Sequence, residues 1–172
     1  MSLAFKAMSL ARAAHAAQRR KHTFAPYTDH LAEVAGITAA SLTEFHGISR
    51  DEMVAVAWLH DIVADQGVTL KQIVEQFGPI VGLGVRLLSD LEVGNRATRK
   101  AATCARLSAA PGWVQTIKYA DLISNTPSIV MHDPGFARVY LAEKRSLLAG
   151  MRDGCPALHH IASNQPETGC AP

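Results

Sequence analysis

Residues 53–63 read Met-Val-Ala-Val-Ala-Trp-Leu-His-Asp-Ile-Val, and the fold turns on that run. It is apolar on nearly every side of a helical projection, which predicts a helix at the centre of the molecule rather than on its surface. Ser49 is placed to cap it, and Asp51 and Glu52 fall in its first turn, where acidic groups favour the helix dipole. His60 and Asp61 stand near its far end. Such a pair in a buried setting costs on the order of several kcal/mol unless it is paired or holds a ligand.

Helical spacing of apolar residues continues outward in both directions, and no segment shows strand alternation. Upstream, a first helix is predicted from Leu3 to Arg19. A loop with Pro26 follows, and then a second helix capped by Thr28 or Asp29 and running to about Phe45. Downstream, Gly67 breaks the chain and Thr69 opens a short amphipathic helix to Phe77. Gly78-Pro79 turns into the helix that follows, and another spans about Ala97 to Ser108. Pro111-Gly112 precedes a helix ending near Asn125, just before Pro127, and Asp133-Pro134 opens a last one to about Met151. The expectation is an all-α, compact bundle of about eight helices over residues 1–152, with a poorly ordered tail over 153–172.

The chain has 172 residues, and 48% are hydrophobic, so one ordinary domain with a packed core is expected. Only 6% are aromatic and Ala is abundant, which favours closely packed helices. A net charge of +2, from 17 basic and 15 acidic residues, is too balanced for a general nucleic-acid binder. No apolar run approaches the roughly 18 residues of a membrane span. Cys104, Cys155 and Cys170 form no CxxC pair, so a zinc ribbon or disulfide framework is not implied, and a reducing cytoplasm fits.

Two further residues share the setting of His60-Asp61. His30 opens a mostly apolar helix, and Asp121 interrupts the apolar run from Trp113 to Ile123. Two imidazoles and two carboxylates suit a divalent ion such as Mn²⁺, Fe²⁺ or Zn²⁺. Such an ion activates water and polarises a phosphoryl oxygen. Taken singly, each residue also has a plain structural explanation: His30 can cap or pack, and Asp121 can pair with Lys118.

Four stretches together carry a resemblance. They are residues 18–35 (QRRKHTFAPYTDHLAEVA), 57–78 (AWLHDIVADQGVTLKQIVEQFG), 99–111 (RKAATCARLSAAP) and 116–125 (TIKYADLISN). In the same order they resemble the HD hydrolase domain of the bacterial Rel/Spo alarmone enzymes, and more closely the stand-alone small alarmone hydrolases of metazoan type. The resemblance implies an all-helical HD domain that uses a divalent metal, usually manganese. It implies removal of the 3′-pyrophosphate from guanosine 3′,5′-bis(diphosphate), ppGpp, and from its pentaphosphate relative, with a small-molecule nucleotide as partner. His30, His60, Asp61 and Asp121 match the family's metal ligands.

The family pattern HDxxED reads here His60-Asp61-Ile62-Val63-Ala64-Asp65, so the Glu position is Ala64 while Asp65 remains as the candidate catalytic residue. If one helix continues through them, Asp61 and Asp65 share a face. Loss of one acid-base group costs about 10²–10⁴-fold in rate. Three outcomes follow: a slower alarmone hydrolase, an HD phosphohydrolase acting on another nucleotide such as NADPH, or a metal-bound nucleotide sensor with little turnover. For the substrate, Arg20 and Lys21 match an Arg-Lys pair that lies against base and phosphates. Asn125 matches a nucleotide-contacting Asn, although the nearby family Lys is Leu122. Arg99, Lys100 and Arg138 match further basic positions. Tyr27 reads as packing beside Pro26.

Overall fold

The computed structural model describes residues 1–41 and 43–165. Ten helices form among them: α1 (Leu3–Ala14), α2 (Tyr27–Ala40), α3 (Arg50–Leu59), α4 (Ile62–Gln66), α5 (Leu70–Phe77), α6 (Pro79–Leu88), α7 (Arg96–Ser108), α8 (Gly112–His132), α9 (Pro134–Gly150) and α10 (Pro156–Ser163). The described residues form no strand; an isolated antiparallel bridge joins Arg19 to Pro26 across the loop between α1 and α2. Among the described residues, no helix is long and apolar enough to cross a membrane.

The central helix is α3, as the apolar run predicts. Ser49 and Glu52 close a reciprocal capping box at its start. Ala55, Val56, Ala57 and Leu59 are fully buried, and α3 packs on α1, α2, α6 and α8. Burying Val56 and Leu59 contributes about 1.5–3 kcal/mol each. Gly84 on α6 permits the close approach: a Cβ there would lie 2.8 Å from Val56 and 2.7 Å from Trp113. The Asp51 carboxylate accepts the Leu3 and Ala4 N–H groups at 2.7 and 3.1 Å, and so joins α3 to the start of α1.

Several helix ends differ from expectation. α1 stops at Ala14, because His15 turns inward and its ring is buried. α2 starts at Tyr27 behind Pro26, with Asp29 in its first turn. It ends at Ala40, short of Phe45, where the Arg50 guanidinium donates to the Ala39 and Ser41 carbonyls at 2.8 and 2.6 Å. α8 runs on through Pro127 to His132. Proline cannot donate to the Ile123 carbonyl, and the Gln165 side-chain amide does so instead at 2.8 Å.

The largest departure concerns residues 153–165. Where a poorly ordered tail was expected from residue 153, Pro156–Ser163 folds as α10 against α8. Asp153 N–H donates to Gln115 Oε1 and Cys155 N–H to Thr116 Oγ1, both at 2.8 Å. Gly112 makes room for this crossing, since a Cβ there would sit 2.0 Å from the Asp153 carbonyl. Leu158 and Ala162 join the core. The rest of the expected tail, 166–172 with Cys170, lies outside the described residues.

Candidate metal centre

Three parts of the bundle deliver the four candidate ligands. His30 sits in the second turn of α2, His60 and Asp61 occupy the break between α3 and α4, and Asp121 lies in the middle of α8. His60 and Asp61 keep αR-region backbone angles while the α3 ladder ends, and their side chains face Asp121 and His30. One donor atom each from His30, His60 and Asp121 lies within 4.8 Å of the others. Asp61 Oδ2 stands 3.0 Å from His60 Nε2 and 3.8 Å from His30 Nε2, and Asp121 Oδ1 stands 3.4 Å from His30 Nε2.

Neighbouring groups fix which imidazole nitrogen faces the centre. His60 Nδ1 lies 2.8 Å from the Ala57 carbonyl, which can only accept, so Nδ1 carries the proton. The Ser124 hydroxyl donates to Glu33, so its oxygen accepts from His30 Nδ1 at 2.8 Å. When neutral, each ring therefore offers Nε2 to the centre. Both Nε2 atoms are buried and make no well-aligned hydrogen bond with any described residue. A buried imidazole nitrogen without a partner is costly, and two of them converging with carboxylate oxygens suit a divalent ion. The donor set fits one.

Charge is balanced tightly here. Burial alone lowers the pKa of His30, but Asp121 and Asp61 outweigh it and push the value up to about 9. His60 is raised by the same carboxylates against its burial. Burial opposes ionisation of Asp121 and Asp61. Lys118 and the histidines hold Asp121 far below the usual carboxylate range, and His60, His30 and Tyr27 do the same for Asp61. Lys118 Nζ bonds Asp121 Oδ2 at 2.7 Å, so Asp121 keeps its structural ion pair while Oδ1 faces the histidines. Tyr27 does more than pack: its O–H donates to Asp61 Oδ2 at 2.6 Å. Burial, then Asp61, raise the phenol far above its ordinary value and keep it a donor.

A sequence model of the HD domain family matches residues 7–110, more than half of the chain. This chain belongs to the HD domain family. The matched part holds His30, His60 and Asp61, and Asp121 joins from α8 beyond it. No curated protein matches the sequence. Among solved structures, the HD domain here superimposes on a protein described as a metazoan ortholog of SpoT that hydrolyzes ppGpp and plays a role in starvation responses. That pair shares 21% identity with a TM-score of 0.83, over 94% of this chain and 92% of the other, a likeness of fold.

The remaining candidate residues spread unevenly around the HD centre. Arg20 is close: its guanidinium contacts Glu33 at 3.2 Å, the Ser124 carbonyl at 3.2 Å and Asn125 Oδ1 at 3.5 Å. Asn125 donates to Asp121 Oδ1 at 2.7 Å. A cavity of about 220 Å³ is lined by Arg20, Lys21, His22, Tyr27, Asn125 and Phe136. A larger one, of about 450 Å³, is lined by Lys100, Lys118, Asp121, Asn125 and Tyr140 among others. Asn125 lines both. Asp65 lies outside the cluster of four; its Oδ2 accepts from Gln18 Nε2 at 2.8 Å. The break at His60-Asp61 means that no continuous helix joins α3 to Asp65, although the Asp65 N–H still donates to the Asp61 carbonyl. Arg99 is exposed and lines a small separate cavity with Asp90 and Lys100. Arg138 is exposed on α9 and lines neither cavity that touches the centre. Sequence reasoning missed Ser124, Glu33 and Gln18; their only signal is proximity in the fold.

Proposed function

We propose that this HD domain is a metal-dependent nucleotide phosphohydrolase that removes the 3′-pyrophosphate from guanosine 3′,5′-bis(diphosphate). The observation that carries this reading is that two cation-lined cavities share Asn125, and the larger reaches Asp121 beside the converging histidines. The larger cavity is of ordinary size for a small-molecule site. Further support comes from the SpoT ortholog of like fold, described as hydrolyzing ppGpp.

His30, His60, Asp61 and Asp121 would hold the ion, and Mn²⁺ is the metal we propose. When bound, it supplies an activated water and Lewis-acid polarisation of a phosphoryl oxygen. Arg20 and Lys21 bind phosphate and cover the base from the smaller cavity, Arg20 by a planar fork suited to paired oxygens. Lys100 neutralises phosphate charge from the larger cavity, and Asn125 orients the nucleotide between the two. Arg99 and Arg138, more remote, add to the positive field. Gln18 occupies Asp65 Oδ2, which leaves Oδ1 to take a proton from the attacking water. The water oxygen bonds to the phosphorus attached to O3′ as the bond between that phosphorus and O3′ breaks, the proton taken up by Asp65 is returned to O3′, and pyrophosphate departs.

Ala64 and Leu122, in place of the family Glu and Lys, favour a second reading: the same chemistry on another nucleotide phosphate such as NADPH, or binding with little turnover. The test is release of pyrophosphate or phosphate from a nucleotide panel with Mn²⁺. Pyrophosphate from ppGpp, abolished by Asp61→Ala, is expected. Release from NADPH alone supports the second reading, and tight binding of ppGpp without release supports the sensor.

A further inference from the structure

We propose that Tyr27 is a positioning residue of the metal centre, which fixes the Asp61 carboxylate through its hydroxyl and so sets the affinity for the ion. The proposal rests on the reading of His30, His60, Asp61 and Asp121 as ligands. It does not depend on which nucleotide is hydrolysed.

Asp61 is the least enclosed of the four. Its side chain is 25% exposed, against 1%, 3% and 9% for His30, His60 and Asp121. Asp121 is held by two donors, Lys118 on Oδ2 and Asn125 on Oδ1. Apart from the two imidazoles, the described residue whose side chain holds Asp61 is Tyr27. A carboxylate oxygen has two acceptor directions. On Asp61 Oδ2, the tyrosine takes one at 2.6 Å and the other faces His60 Nε2 at 3.0 Å. Without the hydroxyl, the carboxylate keeps only its contacts with the two imidazoles, the groups that turn to the ion when it binds.

The tyrosine is itself clamped. Its ring stacks on His15, with centroids 5.2 Å apart and planes at 17°, and its other neighbour is the His30 ring at 5.3 Å. His15 is buried and is anchored through Nδ1 to Gln18 Oε1, and Gln66 Nε2 donates to the same oxygen. The backbone N–H of Tyr27 donates to the Gln18 carbonyl at 3.0 Å. Gln18 also holds Asp65. The segment between α1 and α2 is thus a bracket. A position that seemed only to pack beside Pro26 is tied at its ring, backbone and hydroxyl.

Removing a group that orients a metal ligand typically weakens metal affinity about 10–100-fold. Tyr27→Phe keeps the ring and its stacking and deletes one hydroxyl. The apoproteins of wild type and Tyr27→Phe are titrated with Mn²⁺ and with Zn²⁺ against a competing chelator, and circular dichroism confirms that both are folded. The expected result is a loss of about 10–100-fold in affinity for Tyr27→Phe. In an Asp61→Ala background the same change has no further effect, since the hydroxyl acts through Asp61. The electron paramagnetic resonance lines of bound Mn²⁺ broaden in Tyr27→Phe, a change that loss of packing alone would not produce. Affinity within twofold of wild type, or an equal further loss in the Asp61→Ala background, overturns the proposal and leaves the metal reading standing. A wild type that takes up neither ion overturns both.

Discussion

Protons and the metal ion compete for the same two nitrogens, which makes ion uptake steeply dependent on pH. His30, at about 9, holds a proton on the nitrogen that would face the ion. An unperturbed imidazole near 6.5 would already have lost it at pH 7. The required release at pH 7 therefore weakens uptake by about two powers of ten, or roughly 2.7 kcal/mol at about 1.36 kcal/mol per decade. Between pH 7 and pH 8, His30 alone raises the apparent affinity about tenfold, and His60, raised by the same carboxylates, steepens the slope. The sign for the empty protein is opposite. A histidine raised in the folded state stabilises the fold fully below about 6.5 and loses that contribution as pH climbs through the folded value. The apoprotein should thus melt earlier from pH 7 to 9 while its affinity for the ion grows. Calorimetric titration with Mn²⁺ in buffers of different protonation enthalpy counts the protons released at pH 7. About one to two per ion are expected. Fewer than a few tenths, with an affinity flat from pH 7 to 8.5, would show that the histidines are not held as imidazolium and that the charge balance drawn for the centre is wrong.

Other consequences can be measured in parallel. Asp121→Ala leaves Lys118 without its buried counter-charge and both imidazoles with Asp61 alone, so it should destabilise the apoprotein by about 3–5 kcal/mol in urea melts as well as abolish ion uptake. Arg20→Ala should raise KM for ppGpp about 10–100-fold with a smaller change in kcat, because charged hydrogen bonds to the bound nucleotide are worth about 1.5–3 kcal/mol; a fall in kcat with KM unchanged would move Arg20 from binding to chemistry. Ending the chain at Arg152 strips Leu158 and Ala162 from the core and deprives Gln115 Oε1 and Thr116 Oγ1 of the Asp153 and Cys155 N–H groups. A loss of about 2–5 kcal/mol is expected in urea unfolding, and an unchanged midpoint would mean that α10 contributes nothing to the domain. Ala64→Glu should speed ppGpp turnover, by up to about 10²-fold if the missing carboxylate limits the rate.

What the sequence made legible were features whose cause is local. The apolar run ending in His60-Asp61 identified both the central helix and half of the centre. Ser49-Glu52 and Thr69-Gln72 sit where capping chemistry places them, and both boxes form. Features that depend on a partner distant in the chain stayed hidden. Pro127 reads as a stop signal, yet α8 continues, with Gln165 arriving from beyond α10 to satisfy the Ile123 carbonyl that the proline leaves free. Asp153 to Ser163, short and flanked by Pro and Gly, reads as tail until Gln115 and Thr116 take its backbone N–H groups. Tyr27 looks like loop packing because Asp61, its partner, lies 34 positions away. The basic positions divide for a related reason. Arg20 is drawn in by Glu33 and Ser124, whereas nothing comparable draws Arg138 off the surface.

The candidate ligands come from α2, the α3–α4 break and α8, and His30 meets Ser124 across 94 positions of chain. No short peptide from this protein could chelate an ion with this set, and a partly folded chain would lack at least one wall of the cage. Ion capture is therefore a late event, possible only once the first and last thirds of the domain have closed on each other. Binding that favours only the folded form adds stability in proportion to the logarithm of free ion. The cell's supply of the metal then governs how long the finished domain survives, apart from how fast it turns over.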